Sequence, residues 1–165
     1  MNVGRLHVIT DTSLQSRYSH SELAALALEG GADVVQYREK CSQSTRVHLE
    51  HARAMVSLSH DWPGSIIVND RADVAVGSAA GGLHIGADDL EPELARQLIG
   101  PARILGATAN NLEQAKALSD APINYLGVGP VFPTTSKANP APTLGVEGIR
   151  TISQAAAHPV IAIGS

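Results

Sequence analysis

The sequence predicts an α/β fold built on a parallel sheet. Three observations carry that prediction. Short apolar runs recur at even intervals along the 165 residues. Segments with helical patterning lie between them, and Gly-rich breaks such as Gly30-Gly31 and Gly81-Gly82 separate helix from strand. Alternating β and α patterns imply parallel strands joined by crossover helices. A parallel strand buried on both faces reads as a continuous apolar run.

The strand candidates, in order, are Leu6–Thr10, Asp33–Tyr37, Ser65–Asn69, Gly81–Ile85, Arg103–Ala107, Ile123–Val128 and Pro159–Ile163. The helical segments begin with Ser21–Glu29, which carries Leu23, Leu26 and Ala27 on one face. Ser44–His60 carries Val47, Met55, Val56 and Leu58, and Arg71–Ala79 is short. Glu91–Ile99 has Pro92 near its first turn, where proline is tolerated. Asn111–Ser119 has Asn110 or Asn111 as its N-cap. Val146–Ala157 ends before Pro159, because the residue preceding a proline is pushed away from helix.

Seven βα-type units are counted. Their short, even spacing favours a TIM (β/α)8 barrel over an open doubly wound sheet, the competing layout. Such barrels have eight units and usually ~250 residues, at least ~200. The expectation is therefore a single TIM-barrel domain over residues 1–165, C-terminally incomplete, with its eighth unit missing. Seven strands would leave exposed edges that could pair with a second copy as a homo-oligomer.

Hydrophobic residues at 44% and charged residues at 17% fit a soluble globular chain. A net charge of −4 gives no basic footprint for nucleic acid, and 3% aromatics leave little for base stacking. No apolar run approaches the ~20 residues of a membrane span. Cys41 is the single cysteine, so no internal disulfide forms. Met1–Arg5 leads straight into a strand without a signal segment, and the expected location is cytoplasmic.

Polar clusters follow several of the apolar runs, at the C-terminal strand ends where α/β folds bind ligands. Gln36, Arg38 and Lys40 are spaced by two and share one face of an extended chain. Arg offers a planar fork and Lys a compact charge, a combination that grips a diphosphate. The plainer reading pairs them with neighbouring acids such as Glu39. Asn69-Asp70 ends the third strand and reads either as a helix cap or, with Asp89 after the fourth, as a carboxylate pair for Mg²⁺. Asp89 could instead cap the helix that follows. Thr108 follows the fifth strand and could hydrogen-bond a ligand oxygen. Gly129–Gly145 holds Pro130, Pro133, Pro140 and Pro142 and no helical pattern. Loops of that length are usually functional or disordered. Within it Thr134, Ser136 and Lys137 read as a phosphate clamp, or as solvated loop residues. His48 and His51 read as a solvated helix face, His84 as a buried or site-facing histidine, and Cys41 as structural.

These clusters together resemble the thiamine-phosphate synthase family, also called thiamine-phosphate pyrophosphorylase. The resemblance runs from Leu6 to Gly164. It is carried by Ile9-Thr10-Asp11, Val35–Lys40, Ile67–Arg71, Leu83–Gly86 with Asp89, Ile104-Leu105-Gly106, Gly127–Lys137 and Ala162-Ile163-Gly164. It implies a TIM barrel that joins hydroxymethylpyrimidine diphosphate to a thiazole phosphate, giving thiamine phosphate and diphosphate by a dissociative substitution assisted by Mg²⁺. By position, Gln36, Arg38, Lys40 and Asn69 would bind the pyrimidine diphosphate, and Asp70 and Asp89 the Mg²⁺. Thr108 would help position the reacting groups. Thr134, Ser136 and Gly164 would contact the thiazole phosphate, and Lys137 the diphosphate.

Four positions depart from the family pattern. Thr108 stands for the usual serine, Asn110 for a common histidine, Ala87 for a frequent glutamine, and Ser165 for the second glycine of a pair. Two alternatives follow. The related thiazole tautomerase resembles the synthase in fold, but appears in this pattern with a histidine at Asn110, and an amide is no general acid–base near neutral pH. A non-catalytic barrel that binds thiamine phosphates, or regulates through them, is the other.

Overall fold

A computed structural model describes residues 3–41, 43–136 and 140–164. Seven strands alternate with six helices among the described residues: β1 His7–Thr10, α1 His20–Glu29, β2 Val34–Tyr37, α2 Thr45–Ser59, β3 Ser65–Asn69, α3 Ala72–Gly77, β4 Gly82–Ile85, α4 Pro92–Ile99, β5 Ile104–Ala109, α5 Leu112–Ala117, β6 Tyr125–Val128, α6 Gly145–Ala155 and β7 Val160–Ala162. The strand order follows the chain order. This is the parallel α/β organisation that the alternating pattern predicts. The chain divides into two compact units, Met1–His84 with Gln97–Ile104, and Ile85–Arg96 with Leu105–Ser165.

In the first unit β1, β2, β3 and β4 pair in parallel. The registers set Thr10 beside Tyr37, Tyr37 beside Val68, and Asn69 beside His84. Val34, Val35, Ile66, Ile67, Val68 and Leu83 are buried, which explains why Val34-Val35 and Ile66–Val68 read as apolar runs. Helix α1 begins at a capping box. The Ser19 hydroxyl accepts from the Glu22 N–H, and the Glu22 carboxylate accepts from the Ser19 N–H. Ser44 caps α2 by accepting from the Val47 N–H.

In the second unit β5 pairs with β6 and β6 with β7. β5 extends to Ala109, because pairing with β6 continues through Thr108 beside Gly127 and Ala109 beside Val128. Thr108 thus lies within the strand, one residue before its end, whereas the sequence sets it just past a strand ending at Ala107. Asn124 ties three segments together: its Oδ1 accepts from Arg96 Nη2 and from the Leu105 N–H, both at 2.8 Å. Tyr125 is buried with its ring against Gly106, where a Cβ would stand 2.1 Å from the ring Cζ. Asn111 caps α5 by accepting from the Gln114 N–H at 2.8 Å. No helix among the described residues is long and apolar enough to cross a membrane.

Candidate active site

The strip from Gln36 to Lys40 runs out of β2, which ends at Tyr37, and the Arg38 N–H still donates to the Thr10 carbonyl at 3.1 Å. Its contacts sort into two sets, as the two-residue alternation of extended backbone requires. Gln36 is buried, Arg38 Nη1 pairs with the Asp11 carboxylate, and Lys40 Nζ pairs with the Asp70 carboxylate. Asp11 is itself held, its Oδ1 accepting from the Ser13 N–H at 3.0 Å and the Ser13 hydroxyl at 2.5 Å. The acid partners of the two cations therefore sit just past the ends of β1 and β3. Glu39, the partner that the plainer sequence reading offers, is not one of them.

Asn69 is the last residue of β3, and Asp70 turns the chain with φ +61°. The Arg71 N–H donates to the Asn69 carbonyl at 2.7 Å, and the Asp70 N–H to the His84 carbonyl at 2.8 Å. A left-handed φ costs an ordinary L-residue roughly 1–2 kcal/mol, and Asp is among the side chains that tolerate it. The helix-cap reading of Asn69-Asp70 does not hold. The N-cap position of α3 is Arg71, and no side chain caps that end. Arg71 is instead forked onto Asp73, with Nε at 2.8 Å and Nη2 at 2.6 Å, and Nη2 also reaches Thr45 Oγ1 at 2.9 Å.

The other face of the strip meets histidines. Tyr37 donates or accepts at His48 Nδ1 over 3.0 Å and lies 3.4 Å from His51 Nδ1. His48 is buried, not part of a solvated face, because the Tyr37 hydroxyl supplies the partner that a buried imidazole needs. Burial lowers the pKa of both His20 and His48 and raises that of the Tyr37 phenol. Glu39 behaves differently. Burial pushes its carboxyl up, but bonds from the Cys41 N–H, His20 and Thr12 outweigh it and bring the pKa to about 2. His20, Glu39, His51, Thr12, Ser19 and Gln43 line a small cleft of about 200 Å³ in this unit.

In the second unit Asp89 Oδ2 accepts from the Gly86 N–H at 2.7 Å, closing a turn after β4. Asp89 and Thr108 line one cleft of about 260 Å³, together with Ile85, Gly86, Gln114 and Leu118. The long loop after β6 is pinned at both ends. On the outgoing side the Val131 N–H donates to the Ile163 carbonyl at 3.0 Å, and the Phe132 N–H to the Gly164 carbonyl at 3.1 Å. On the return, the Leu144 and Gly145 N–H groups donate to the Pro130 and Val131 carbonyls at 2.9 and 3.0 Å. Gly164 has φ +95°, and a Cβ there would stand 2.8 Å from Pro130 Cα, so a side chain is opposed on both counts. Asn110 Nδ2 donates to the Gly129 carbonyl at 2.6 Å, while the Asn110 N–H donates to Gln114 Oε1 at 2.7 Å. Within the loop Thr134 Oγ1 accepts from the Ser136 N–H and donates to the Ser136 hydroxyl, both at 3.2 Å. Lys137 and Ser165 lie outside the described residues. Among the described residues no group of three or more His, Cys, Asp or Glu side chains is gathered to hold a metal ion.

Residues 6–165 match the family model described as thiamine monophosphate synthase. The chain belongs to this family. Two thiamine-phosphate synthases support the synthase assignment. That of Salinibacter ruber is 42% identical over 163 residues, covering 99% of this chain and 71% of the relative. That of Chloroflexus aurantiacus is 45% identical over 161 residues, covering 97% and 73%. In three dimensions the chain matches a thiamine phosphate pyrophosphorylase from Pyrococcus furiosus with a TM-score of 0.86 at 37% identity, over 98% of this chain and 75% of that one. Membership in the synthase family makes the chain a transferase of thiamine biosynthesis, and the tautomerase alternative is not favoured.

The structure brings Lys40 together with Asp70, and Asp89 with Thr108, and it seats Gly164 on the base of the loop that carries Thr134 and Ser136. Sequence reasoning assigns no role to Asp11 or His20, and offers Glu39 only as an ion-pair partner for the neighbouring cations. The signal for Asp11 is its place one residue past a strand end. For His20 it is the capping box beginning at Ser19, which moves the helix start ahead of Ser21.

Proposed function

We propose that the chain couples hydroxymethylpyrimidine diphosphate to a thiazole phosphate by a dissociative substitution that releases diphosphate. The observation that carries this reading is the pair of cations, Arg38 and Lys40, emerging two residues apart beside the carboxylates of Asp11 and Asp70. In this reading Gln36, Arg38, Lys40 and Asn69 bind the pyrimidine diphosphate. Thr108 orients the reacting groups with its hydroxyl. Thr134, Ser136 and Gly164 receive the thiazole phosphate, and Lys137 steadies the departing diphosphate. The substrates are small phosphorylated molecules, and the setting is cytoplasmic. The layout is a (β/α)8 barrel.

Mg²⁺ fits the donors on offer. It takes oxygen ligands and is commonly held by one or two carboxylates together with substrate phosphates and water. Asp70 is free of any capping duty, and Asp89 has one oxygen fixed by the Gly86 N–H. By resemblance to the family, these two would hold the ion. When bound it would neutralise charge on the leaving diphosphate. Arg38 and Lys40 supply positive charge to the same leaving group, and each is held in place by an acid before substrate arrives. The departing electron pair stays on the diphosphate oxygen, and the thiazole nitrogen attacks the pyrimidine methylene carbon.

The test is incubation of the protein with both substrates, with and without Mg²⁺, following thiamine phosphate and diphosphate in equal amounts. Formation of both only with Mg²⁺ is expected. Saturable binding of both substrates without any coupling would overturn the proposal in favour of a binding module.

A further inference from the structure

Backbone pairing of β2 with β1 reaches as far as Arg38. Past that point the segment carrying Lys40 is tied through the Glu39 side chain. Glu39 Oε1 accepts from the Cys41 N–H at 2.7 Å, and Oε2 from the Thr12 hydroxyl at 2.9 Å. Oε2 also lies 3.2 Å from His20 Nε2. His20 is fixed in turn: its Nδ1 is 2.7 Å from the buried Thr10 hydroxyl, and its ring stands edge-on to Tyr37 at 4.7 Å between centroids. With the proton on Nε2, His20 donates to Glu39 and accepts from Thr10.

We infer that Glu39, braced by His20 and Thr12, is a positioning residue that aims Arg38 and Lys40 at the diphosphate. The inference rests on the diphosphate-binding role proposed above for those two cations. Glu39 lies between them in the chain, and its side chain is anchored on the opposite set of contacts from theirs. A rotation of the backbone at Glu39 would swing the ammonium relative to the guanidinium, which backbone pairing at Arg38 holds, and so spoil their joint aim. Misplacing a binding group by about an ångström can cost up to ~10²-fold. Plain electrostatics gives the opposite sign. A carboxylate beside an anion site repels the anion, so removing it should tighten diphosphate binding. The two accounts therefore separate on the direction of one measurement.

The experiment is calorimetric titration of inorganic diphosphate with Mg²⁺ into the full chain and into Glu39→Ala, Glu39→Gln and Thr12→Val, each with its melting temperature. Glu39→Ala is expected to weaken binding about tenfold. Thr12→Val, which removes one of the anchors, should weaken it roughly two- to threefold. Glu39→Gln should bind at least as tightly as wild type, because its carbonyl still accepts from the chain and its amide can donate to His20 in the other tautomer. In steady-state assays Glu39→Ala should raise KM for the diphosphate substrate and leave KM for the thiazole phosphate unchanged. Equal or tighter binding by Glu39→Ala overturns the inference, as does an equal rise of both KM values. If Glu39→Ala fails to fold, unchanged binding by Thr12→Val overturns it. Wild-type protein that ignores Mg²⁺-diphosphate would remove the grip reading itself. Wild-type binding with unaltered variants would remove only the positioning role.

Discussion

Lowering the pH from about 7 toward 3 is expected to weaken the fold in two stages, and the second belongs to Glu39. The carboxyl is pushed up by burial, yet hydrogen bonds from Cys41, His20 and Thr12 bring it to about 2, against an ordinary value of 4.5. The folded pKa is depressed, so the stabilisation is complete above 4.5 and is lost as pH falls from there toward 2. One pKa unit corresponds to about 1.4 kcal/mol, so the whole difference amounts to roughly 3 kcal/mol. His20 and His48 act earlier. Burial lowers both, so the unfolded chain takes up protons below 6.5 that the folded chain refuses, and stability starts to fall there. The assay is urea unfolding at closely spaced pH values for wild type and Glu39→Gln. The glutamine does not titrate. Below pH 4.5 the stability of the variant should fall less steeply, by up to about 1.4 kcal/mol per pH unit. Around neutral pH the two curves should run parallel. Curves that stay parallel down to the acid limit would refute the claim that these three donors hold the carboxylate.

Gly106→Ala would place a Cβ 2.1 Å from the buried Tyr125 ring, and a loss of about 1–3 kcal/mol is expected, read as a drop of roughly 2–4 °C in Tm per kcal/mol. An unchanged Tm would deny the close approach of strand and ring. Asn110→Ala removes the 2.6 Å bond to the Gly129 carbonyl, at a cost of about 1 kcal/mol. Hydrogen exchange should then quicken at the Val131 and Phe132 amides, and equal protection in the variant would count against a clamp at the loop base. Asp70→Asn and Asp89→Asn are each expected to lower kcat by about 10²-fold or more, with higher Mg²⁺ recovering part of the loss. Activity within twofold of wild type in either would remove that carboxylate from the proposed metal site.

What the sequence makes legible here is mostly what one element decides by itself. β2 and β4 are buried along their whole length, and each is recognised by its apolar residues, Val34-Val35 and Leu83 with Ile85, despite the buried Gln36 and His84. The Asn111 cap and Pro92 at the first residue of α4 are local chemistry, and both stand where the sequence puts them. The spacing of Gln36, Arg38 and Lys40 belongs to one short stretch of chain, and its alternation survives in the contacts although β2 ends at Tyr37. His48 shows the limit of that approach. It lies at i, i+4 and i+7 with Ala52 and Met55, a buried helical face, yet its polarity disguises the period until Tyr37 is found opposite.

Partners that come from other strands depend on register, which the sequence alone does not state. Thr10 lies beside Tyr37, so one step further along both strands sets Asp11 level with Arg38. Tyr37 lies beside Val68, so the same count sets Asn69 level with Arg38 and Asp70 level with Glu39; the left-handed φ of Asp70 takes it out of that alternation, and it pairs with Lys40. A slip of one residue in the first pairing would turn Asp11 to the other face of the sheet. Arg38 would then stand without that counter-charge, and Glu39, the nearest acid in sequence, would be its natural partner. The three donors to Glu39 and that register remove the option together. The carboxylate closest to the cations in the chain is therefore committed to bracing them, and those that balance them come from strands on either side.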